Sequence, residues 1–424
     1  MGIKKTYGPW WWIPSLYFAQ GLPYVVVMTL SVIMYKRMGV SNTDIALYTG
    51  WLYLPWVIKP FWSPIVDIIS TKRGWTLAMQ WAIGVALAAV AFTVPLSVFF
   101  QSTLAVFWLM AFASATHDIA ADGFYMIALT GHQQSFYVGI RSTFYRIATV
   151  AGQGLLVIIA GLIEDSAGVT MAWSVVFGIL SAFFFIVALY HSRVLPHPVA
   201  DEERGSGREI KVVAREFFDT FRSFFSKKGV WTAVAFMLLY RLPEAQLVKM
   251  IAPFLIDSQE SGGLGLKTQQ LGIVYGTVGV IGLVLGGIVG GIAAARNGLH
   301  KWLWPMAWSM SLTCLTFVYL SYFPDSSFLT INLCVFVEQF GYGFGFTAYM
   351  LYMIYFSEGP RRTSHYAICT GFMALGMMLP GMAAGWLQET LGYTNFFIWT
   401  MICCAVTIGV CAFVKVDPEF GLKK

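Results

Sequence analysis

The chain has 424 residues, of which 58% are hydrophobic and only 11% are charged. Soluble globular domains carry charged side chains at about a quarter of their positions, so this composition excludes an ordinary soluble domain. The net charge of +6 comes mainly from basic residues between apolar segments, and it does not indicate a nucleic-acid partner.

Apolar segments of about twenty residues recur along nearly the whole sequence. Each is long enough to cross the roughly 30 Å hydrocarbon core of a bilayer as an α-helix. We therefore expect an all-α polytopic membrane protein. The pattern predicts twelve spans, near residues 10–35, 45–68, 75–98, 102–129, 137–163, 170–190, 230–256, 269–294, 301–322, 327–356, 363–388 and 394–415.

Lysine and arginine residues are distributed unevenly between the loops on the two sides of the membrane. If the N-terminus is cytoplasmic, the outer loops hold only Lys36, Arg37 and Lys267, and the inner segments hold most of the other basic residues. This bias is the positive-inside rule, and it predicts that both termini lie in the cytoplasm. We expect a multi-pass protein of the inner (cytoplasmic) membrane, in contact with the lipid bilayer.

One long polar segment, 191–229, divides the sequence into halves of nearly equal size. We expect one six-helix bundle over 1–190 and a second over 230–424. Within the linker, apolar residues at helical spacing alternate with lysine and arginine, which predicts a basic amphipathic helix on the inner membrane surface. Such a helix is compatible with a simple tether between the two bundles and equally with a regulatory role.

The two halves share residues at a constant offset of 220 positions. Parallel repeats of six spans are the plan of the major facilitator fold, with the solute bound near the midplane. Two pseudo-symmetric bundles suit alternating access, so the repeat favours a transporter over a pore or a membrane enzyme. The matching pairs include Pro23 and Pro243, Asp118 and Glu338, Gly123 and Gly343, Arg141 and Arg361, and Gly161 and Gly381.

The segment THDIAADGFYMI, 116–127, places two acids inside the fourth span. Asp118 and Asp122 are four residues apart, so they share one face of a helix. Ionisable groups at this depth normally face a cavity or each other and mark functional sites. We predict a proton-coupling site formed by this pair, with Arg146 and Lys59 as its cationic partners. A permanent bridge that joins the fourth and fifth spans is the alternative.

Leu-Pro pairs interrupt the first and seventh spans at Pro23 and Pro243. Proline frees backbone carbonyl groups, which a membrane helix tolerates where it lines a cavity. We predict a substrate site at these breaks, with an arginine that binds a carboxylate or phosphate through paired hydrogen bonds. A small excess of basic residues in the spans favours an anionic small-molecule solute. The predicted substrate-binding residues are Gln20, Tyr24, Tyr145, Arg241, Glu244, Glu338 and Tyr342.

Three other ionisable residues in the spans have structural interpretations. His117 is expected to be a hydrogen-bonded packing residue, whereas Arg141 and Arg361 are expected to anchor the inner ends of their spans or to latch the halves together. No nucleophile motif and no metal-ligand cluster accompanies the acids of the spans. We therefore expect no catalytic residue, no cofactor and no metal.

Several segments, in this order, resemble the AmpG-type muropeptide permeases, which belong to the peptide and acetyl-coenzyme A transporter branch of the major facilitator superfamily. The resemblance is strong in the first half and looser in the second. The segments are YFAQGLPY (17–24), VSNTDIALYTG (40–50), WVIKPFWSPIVD (56–67), HDIAADG (117–123) and GIRSTFYRIATVAGQG (139–154).

This resemblance implies proton-driven import of anhydromuropeptides (GlcNAc-anhydroMurNAc with or without peptide) across a bacterial inner membrane for cell-wall recycling. The paired acids of the family fall on Asp118 and Asp122, and its lysine of the second span falls on Lys59. Gly123 departs from the alanine that the family usually has there. Related permeases with the same twelve-span plan carry siderophores, so the identity of the solute stays open.

Three alternatives remain open at the level of sequence. The same fold could carry another anionic solute, such as acetyl-coenzyme A or a siderophore. A membrane-embedded acyltransferase or hydrolase could use His117 and Asp118 as a base pair. A non-transporting sensor is the third alternative. In each case a monomer is expected.

Overall fold

A computed structural model describes residues 7–198, 201, 210–418 and 420. Over these residues the secondary structure is helical, and no β-strand occurs in the described part of the chain. All twelve predicted spans coincide with helical segments. The prediction of an all-α polytopic membrane protein is therefore confirmed.

The six spans before the linker include three that are interrupted or change helix type. In the first span Pro23 lies inside the continuous α-helix Ile13–Val25, so the break expected there is not seen, and a five-residue π-helix follows Val25. The second span is interrupted after Trp51, and the fifth contains a π-helix. The helical segments of these spans are Ile13–Val25, Val26–Leu30 and Ser31–Arg37; Asn42–Trp51 and Leu54–Ile69; Lys72–Thr93; Phe99–Ala128; Gly131–Val150, Ala151–Leu156 and Val157–Ala167; and Val169–Val194.

In the described part of the linker, helix Ile210–Phe225 follows the end of the sixth span, and six further spans come after it. The seventh span breaks before Pro243, and the eighth contains an eight-residue π-helix. The helical segments after the linker are Val230–Leu239 and Leu242–Ile256; Thr268–Leu271, Gly272–Gly279 and Val280–Leu312; Leu315–Tyr322; Phe328–Ser357; and Arg362–Phe413.

Seven helical stretches among the described residues are long and apolar enough to cross a membrane. Two of them, Thr268–Tyr322 and Ser364–Phe413, run over 55 and 50 residues. Each of these contains a glycine with positive φ, Gly298 at 76° and Gly392 at 74°. Only glycine adopts this conformation at low cost, so each long stretch divides there into two consecutive spans. The second, seventh and tenth spans, which carry breaks or more polar residues, complete the twelve.

Contacts within the chain define two compact units. Unit 1 comprises residues 1–31, 58–152 and 159–218, and unit 2 comprises residues 32–57, 153–158 and 219–424. The division into bundles at residues 190 and 230 remains a prediction.

The core of unit 1 includes an aromatic cluster on the first and fourth spans. The rings of Trp12 and Phe124 meet edge to face at 5.3 Å, and both side chains are buried. Gly21 permits the first span to approach the fifth, because a Cβ atom there would lie 2.9 Å from the Cβ of Ala148. Close packing at small residues is typical of membrane helices, where apolar burial does not favour association.

The core of unit 2 depends on a close crossing of the eighth and tenth spans. A Cβ atom on Gly286 would lie 2.1 Å from the carbonyl oxygen of Phe340, and one on Gly343 would lie 2.1 Å from that of Leu283. These two backbones are in contact, so any side chain at either glycine would separate the helices. The close approach expected from small residues at this spacing is therefore present.

Candidate functional site

Ionisable residues inside the spans form two clusters, one in each unit. The unit 1 cluster comprises Lys59, Asp118, Asp122 and Arg141, with the tyrosines around them. The unit 2 cluster comprises Arg241, Glu244, Glu338 and the tyrosines around them. Buried charges in a membrane are costly unless they are paired or neutralised, so the partners of each group indicate what it can do.

In the unit 1 cluster, Asp118 forms an ion pair with a lysine of the second span. The Nζ atom of Lys59 lies 3.6 Å from Oδ2 of Asp118, and the two side chains are 27% and 16% exposed. The uninterrupted helix Phe99–Ala128 holds Asp118 and Asp122 one turn apart on the same face. Lys59 is therefore an ion-pair partner of the acids, as expected from the sequence.

Asp122 forms an ion pair with Arg141 of the fifth span. The Nη2 atom of Arg141 donates to Oδ1 of Asp122 at 3.0 Å, and the hydroxyl of Tyr17 donates to the same oxygen at 3.3 Å. The guanidinium also lies over the rings of Tyr17 and Tyr125, 4.5 and 5.0 Å from their centres. Cation–aromatic contacts of this kind hold an arginine in place while its N–H groups bind a carboxylate.

The expected ion pair between Asp122 and Arg146 is wrong. The side chain of Arg146 is exposed, and Arg141, which we expected to anchor the inner end of the span, is the partner instead. Five residues separate the two arginines, which corresponds to about 140° around an α-helix. Only one of them can therefore face the fourth span. A role for Arg146 in proton coupling remains a prediction.

Two of the predicted substrate-binding tyrosines lie beside the acids of unit 1. Tyr145 has Asp118, Tyr24 and Asp122 as its electrostatic neighbours. Gln20, one turn before Tyr24, is 6% exposed, and its side-chain oxygen accepts no hydrogen bond from the part of the chain that the structure describes. A buried amide oxygen without a donor is costly, so this atom is suited to a ligand that donates a hydrogen bond.

A glutamine that the sequence analysis did not single out connects two buried histidines. Nδ1 of His191 is 3.0 Å from Oε1 of Gln80, and Nε2 of Gln80 is 3.1 Å from Nε2 of His117. The hydroxyl of Ser15 lies 2.9 Å from Nε2 of His191. The amide can accept only through its oxygen and donate only through its nitrogen. With this orientation of the amide, Nδ1 of His191 carries a proton and Nε2 of His117 accepts, so the His117 ring is neutral. The hydrogen bond agrees with the packing role expected for His117.

In unit 2, the seventh span breaks beside Arg241. Helix Val230–Leu239 ends there, and Leu242–Ile256 begins with Pro243 in its first turn, where the missing N–H costs nothing. Nη2 of Arg241 donates to the hydroxyl of Tyr342 at 2.5 Å, and its guanidinium lies 4.8 Å from the centre of the Phe346 ring. An arginine held by aromatic rings is placed to bind a planar anion.

The two acids of the unit 2 cluster are almost completely buried. Glu244 and Glu338 are each 1% exposed, and they are electrostatic neighbours of one another. Among the described residues, neither carboxylate oxygen of Glu244 has a hydrogen-bond partner, whereas Oε2 of Glu338 accepts from the side chain of Gln339 at 2.8 Å. Both acids are also electrostatic neighbours of Tyr275. This tyrosine lies on the π-helix Gly272–Gly279, a type of segment that is frequent at functional sites.

The structure thus divides the seven predicted substrate-binding residues between the two units. Gln20, Tyr24 and Tyr145 belong to unit 1, and the other four belong to unit 2. Sequence reasoning missed the glutamine between the histidines and the tyrosine on the π-helix. A polar residue in an apolar span was the available signal for both.

Helical spans with broken helices and two clusters of membrane-embedded charges define a polytopic secondary transporter. The family model of the Major Facilitator Superfamily matches residues 15–359, and the chain belongs to that superfamily. The major facilitator fold expected from the internal repeat is therefore confirmed.

Comparisons with individual proteins agree with this assignment. The anhydromuropeptide permease of Escherichia coli strain K12 is 25% identical over 393 residues, which cover 91% of this chain and 75% of the permease. The resemblance to the muropeptide permeases is thereby confirmed.

Solved structures show the same fold at low sequence identity. A D-xylose-proton symporter aligns with a TM-score of 0.73 at 11% identity, over 96% of this chain and 98% of its own. The nucleoside transporter NupG aligns with a TM-score of 0.67 at 16% identity, again over 96% and 98%. At these identities the likeness supports the fold alone.

Proposed function

We propose that this protein is a proton-coupled secondary transporter that imports anhydromuropeptides, GlcNAc-anhydroMurNAc with or without peptide, by alternating access. Its membrane is the inner membrane, both termini lie in the cytoplasm, and the working unit is a monomer. Membership of the superfamily supports transport, and the permease of Escherichia coli supports the class of solute.

The proposal of proton coupling rests on the ion pairs that both acids of the fourth span form. Asp118 and Asp122 each have a cation from a neighbouring helix, Lys59 and Arg141. The Asp122 side chain is 38% exposed, so the described residues do not enclose it completely. Protonation of this carboxyl would release Arg141, which can then bind other groups. A carboxylate whose charge state controls a mobile cation is what coupling to a proton gradient requires.

The predicted substrate-binding residues offer groups that match the chemistry of this solute. Arg241, held against aromatic rings, suits a carboxylate of the lactyl or peptide part. Gln20 offers an acceptor for a sugar hydroxyl or amide, and the rings of Tyr24, Tyr145 and Tyr342 suit the apolar faces of sugars.

Asp122 is tested by measuring accumulation and exchange separately in proteoliposomes. We expect Asp122→Asn to abolish gradient-driven accumulation of labelled anhydro-disaccharide and the accompanying acidification, but to retain exchange of labelled for unlabelled solute. Asp325→Asn, in an exposed loop, is the matched control and should behave as wild type. Accumulation that persists in Asp122→Asn would overturn proton coupling at this residue.

The solute is tested by direct competition in the same vesicles. Labelled anhydro-disaccharide should accumulate, and acetyl-coenzyme A and a ferric siderophore should neither accumulate nor compete. If acetyl-coenzyme A or the siderophore accumulated and the disaccharide did not, the protein would still be a transporter but its solute would not be an anhydromuropeptide. Turnover of a lipid or acyl substrate by the purified protein would instead support the enzyme alternative.

A further inference from the structure

One buried amide in unit 1 connects two histidine rings. Oε1 of Gln80, on the third span, lies 3.0 Å from Nδ1 of His191, and Nε2 of Gln80 lies 3.1 Å from Nε2 of His117. Gln80 and His191 are 0% exposed, and His117 is 1% exposed. Polar groups at this degree of burial depend on their hydrogen-bond partners, so the state of each ring is tied to the end of the amide that faces it.

The two ends of an amide impose opposite demands on the rings. The oxygen only accepts, so the ring nitrogen that faces it carries a hydrogen, whereas the NH₂ group only donates, so the ring nitrogen that faces it is bare. An imidazolium carries a hydrogen on both nitrogens, and the ring that faces the NH₂ group is therefore neutral. In the structure that ring is His117. Rotation of the Gln80 amide by about 180° exchanges its two ends, and His191 then becomes the ring that must be neutral.

The opposite side of the His191 ring is suited to either charge state. Oγ of Ser15 lies 2.9 Å from Nε2 of His191 and 3.3 Å from the carbonyl oxygen of Trp12. A hydroxyl has one hydrogen to donate and can also accept. When Ser15 donates to Nε2, His191 is neutral. When Ser15 donates to Trp12, its oxygen can accept from a protonated Nε2, so the imidazolium of His191 has a partner for each N–H group.

The charged surroundings of the two rings differ. His117 has Asp122 of its own span and Lys59 of the second span as electrostatic neighbours. The ion-pair partners of these two groups are Arg141 and Asp118. His191 has His117 as its electrostatic neighbour and the ring of Tyr190 beside it. A proton on His117 is therefore placed among the ion pairs of the unit 1 cluster, and a proton on His191 is placed on the other side of the amide.

We propose that Gln80 is a positioning residue that makes proton binding at His117 and His191 mutually exclusive. With the amide oxygen toward His191, that ring can take up a proton and His117 stays neutral. With the amide reversed, His117 can take up the proton and His191 stays neutral. No bond within the amide breaks in either case, because only its orientation changes. A consequence of this choice for transport rests on the proposed function, whereas the exclusion itself does not.

Solid-state NMR of the unaltered chain in lipid vesicles, with ¹⁵N-labelled histidine and glutamine, tests the exclusion. A ring nitrogen that carries a hydrogen and a bare one differ in chemical shift, and the two rings are identified by their contacts to a glutamine side-chain amide. At neutral pH, Nδ1 of His191 should carry a hydrogen and Nε2 of His117 should be bare. On acidification within the range in which the protein stays folded, one ring should become an imidazolium. The other ring should stay neutral, with the amide hydrogens of Gln80 facing it.

Two variants separate the effect of the amide from simple repulsion between two positive rings. Gln80→Glu replaces the NH₂ group by a second acceptor, so at neutral pH both ring nitrogens that face this side chain should carry a hydrogen. His191→Phe leaves the amide oxygen without its donor, so the amide should reverse and His117 should become the imidazolium on acidification. His300→Phe, the same substitution at an exposed position, is the matched control and should leave both rings as in wild type.

The unaltered chain alone can overturn the proposal. It is overturned if both rings become imidazolium, if neither does, or if the amide hydrogens face the charged ring. A bare facing nitrogen in Gln80→Glu, or a His117 ring that stays neutral in His191→Phe, would overturn it as well. None of these measurements uses a solute or a proton gradient, so a failure here is distinguishable from a failure of the proposed function.

Discussion

Replacement of Gln80 tests the hydrogen-bonded connection between the two buried histidines. Gln80 is 0% exposed and is the partner of both Nδ1 of His191 and Nε2 of His117. Leucine has a similar volume but no polar atom. The Gln80→Leu variant therefore leaves two buried ring nitrogens without a partner while the packing is largely preserved.

The expected loss of stability follows from these two nitrogens. Each buried polar group that loses its only partner costs about 1 to 3 kcal/mol, so the free energy of unfolding should fall by about 2 to 6 kcal/mol. Thr76 lies one turn before Gln80 on the same helix and is also 0% exposed, but its hydroxyl donates only to the carbonyl of Lys72 in the preceding turn. Thr76→Val should cost no more than about 1 kcal/mol.

Both variants are measured by unfolding in mixed micelles with increasing sodium dodecyl sulfate, followed by circular dichroism. If Gln80→Leu unfolds within about 0.5 kcal/mol of wild type, a range typical of neutral surface substitutions, the histidine rings do not depend on Gln80. An equal cost for Thr76→Val would show that any polar loss from this helix has the same effect. Either result would refute the reasoning.

Two further predictions concern packing and ion pairing in unit 2. Gly286→Ala should lower the free energy of unfolding by about 1 to 3 kcal/mol, because its Cβ would lie 2.1 Å from the carbonyl oxygen of Phe340. The control is Gly291→Ala on the same helix, where an added Cβ would have nothing within 4 Å, and this variant should be neutral or stabilising. If the two variants changed the free energy of unfolding equally in the same assay, the close crossing of the eighth and tenth spans would be contradicted. Lys36 and Asp257 lie 2.6 Å apart with side chains 13% and 17% exposed, so a double-mutant cycle of Lys36→Met and Asp257→Asn should give a coupling energy of about 1 to 3 kcal/mol. Additive single effects would show that the pair contributes nothing.

The sequence was sufficient to predict the spans, because the hydrocarbon core imposes a length and a composition that can be counted. It also located the acids, since Asp118 and Glu338 stand out in apolar surroundings. It could not decide which arginine faces Asp122. Distance along the helix axis is readable from residue number, and on that measure Arg146 was a reasonable partner. The direction in which the fifth span faces depends on how two helices pack, and that direction selects Arg141.

For two other features, the sequence showed a polar residue in an apolar span but not what that residue contacts. Gln80 is separated from its partners by 37 and 111 residues, so only the folded chain shows that one amide serves two histidines. Tyr275 lies on a π-helix, where the wider turn changes the direction of each side chain relative to an α-helix. Helical periodicity therefore assigns its face incorrectly, although a buried tyrosine near two acids is evident in the structure.

The internal repeat preserves the position of an acid but not the means of neutralising it. Asp118 has its own lysine, Lys59. Glu338 has a glycine at the equivalent position of the partner, and it accepts a hydrogen bond from the side-chain amide of Gln339 instead. The duplicated halves therefore share one backbone plan, and they differ in the residue that faces each acid.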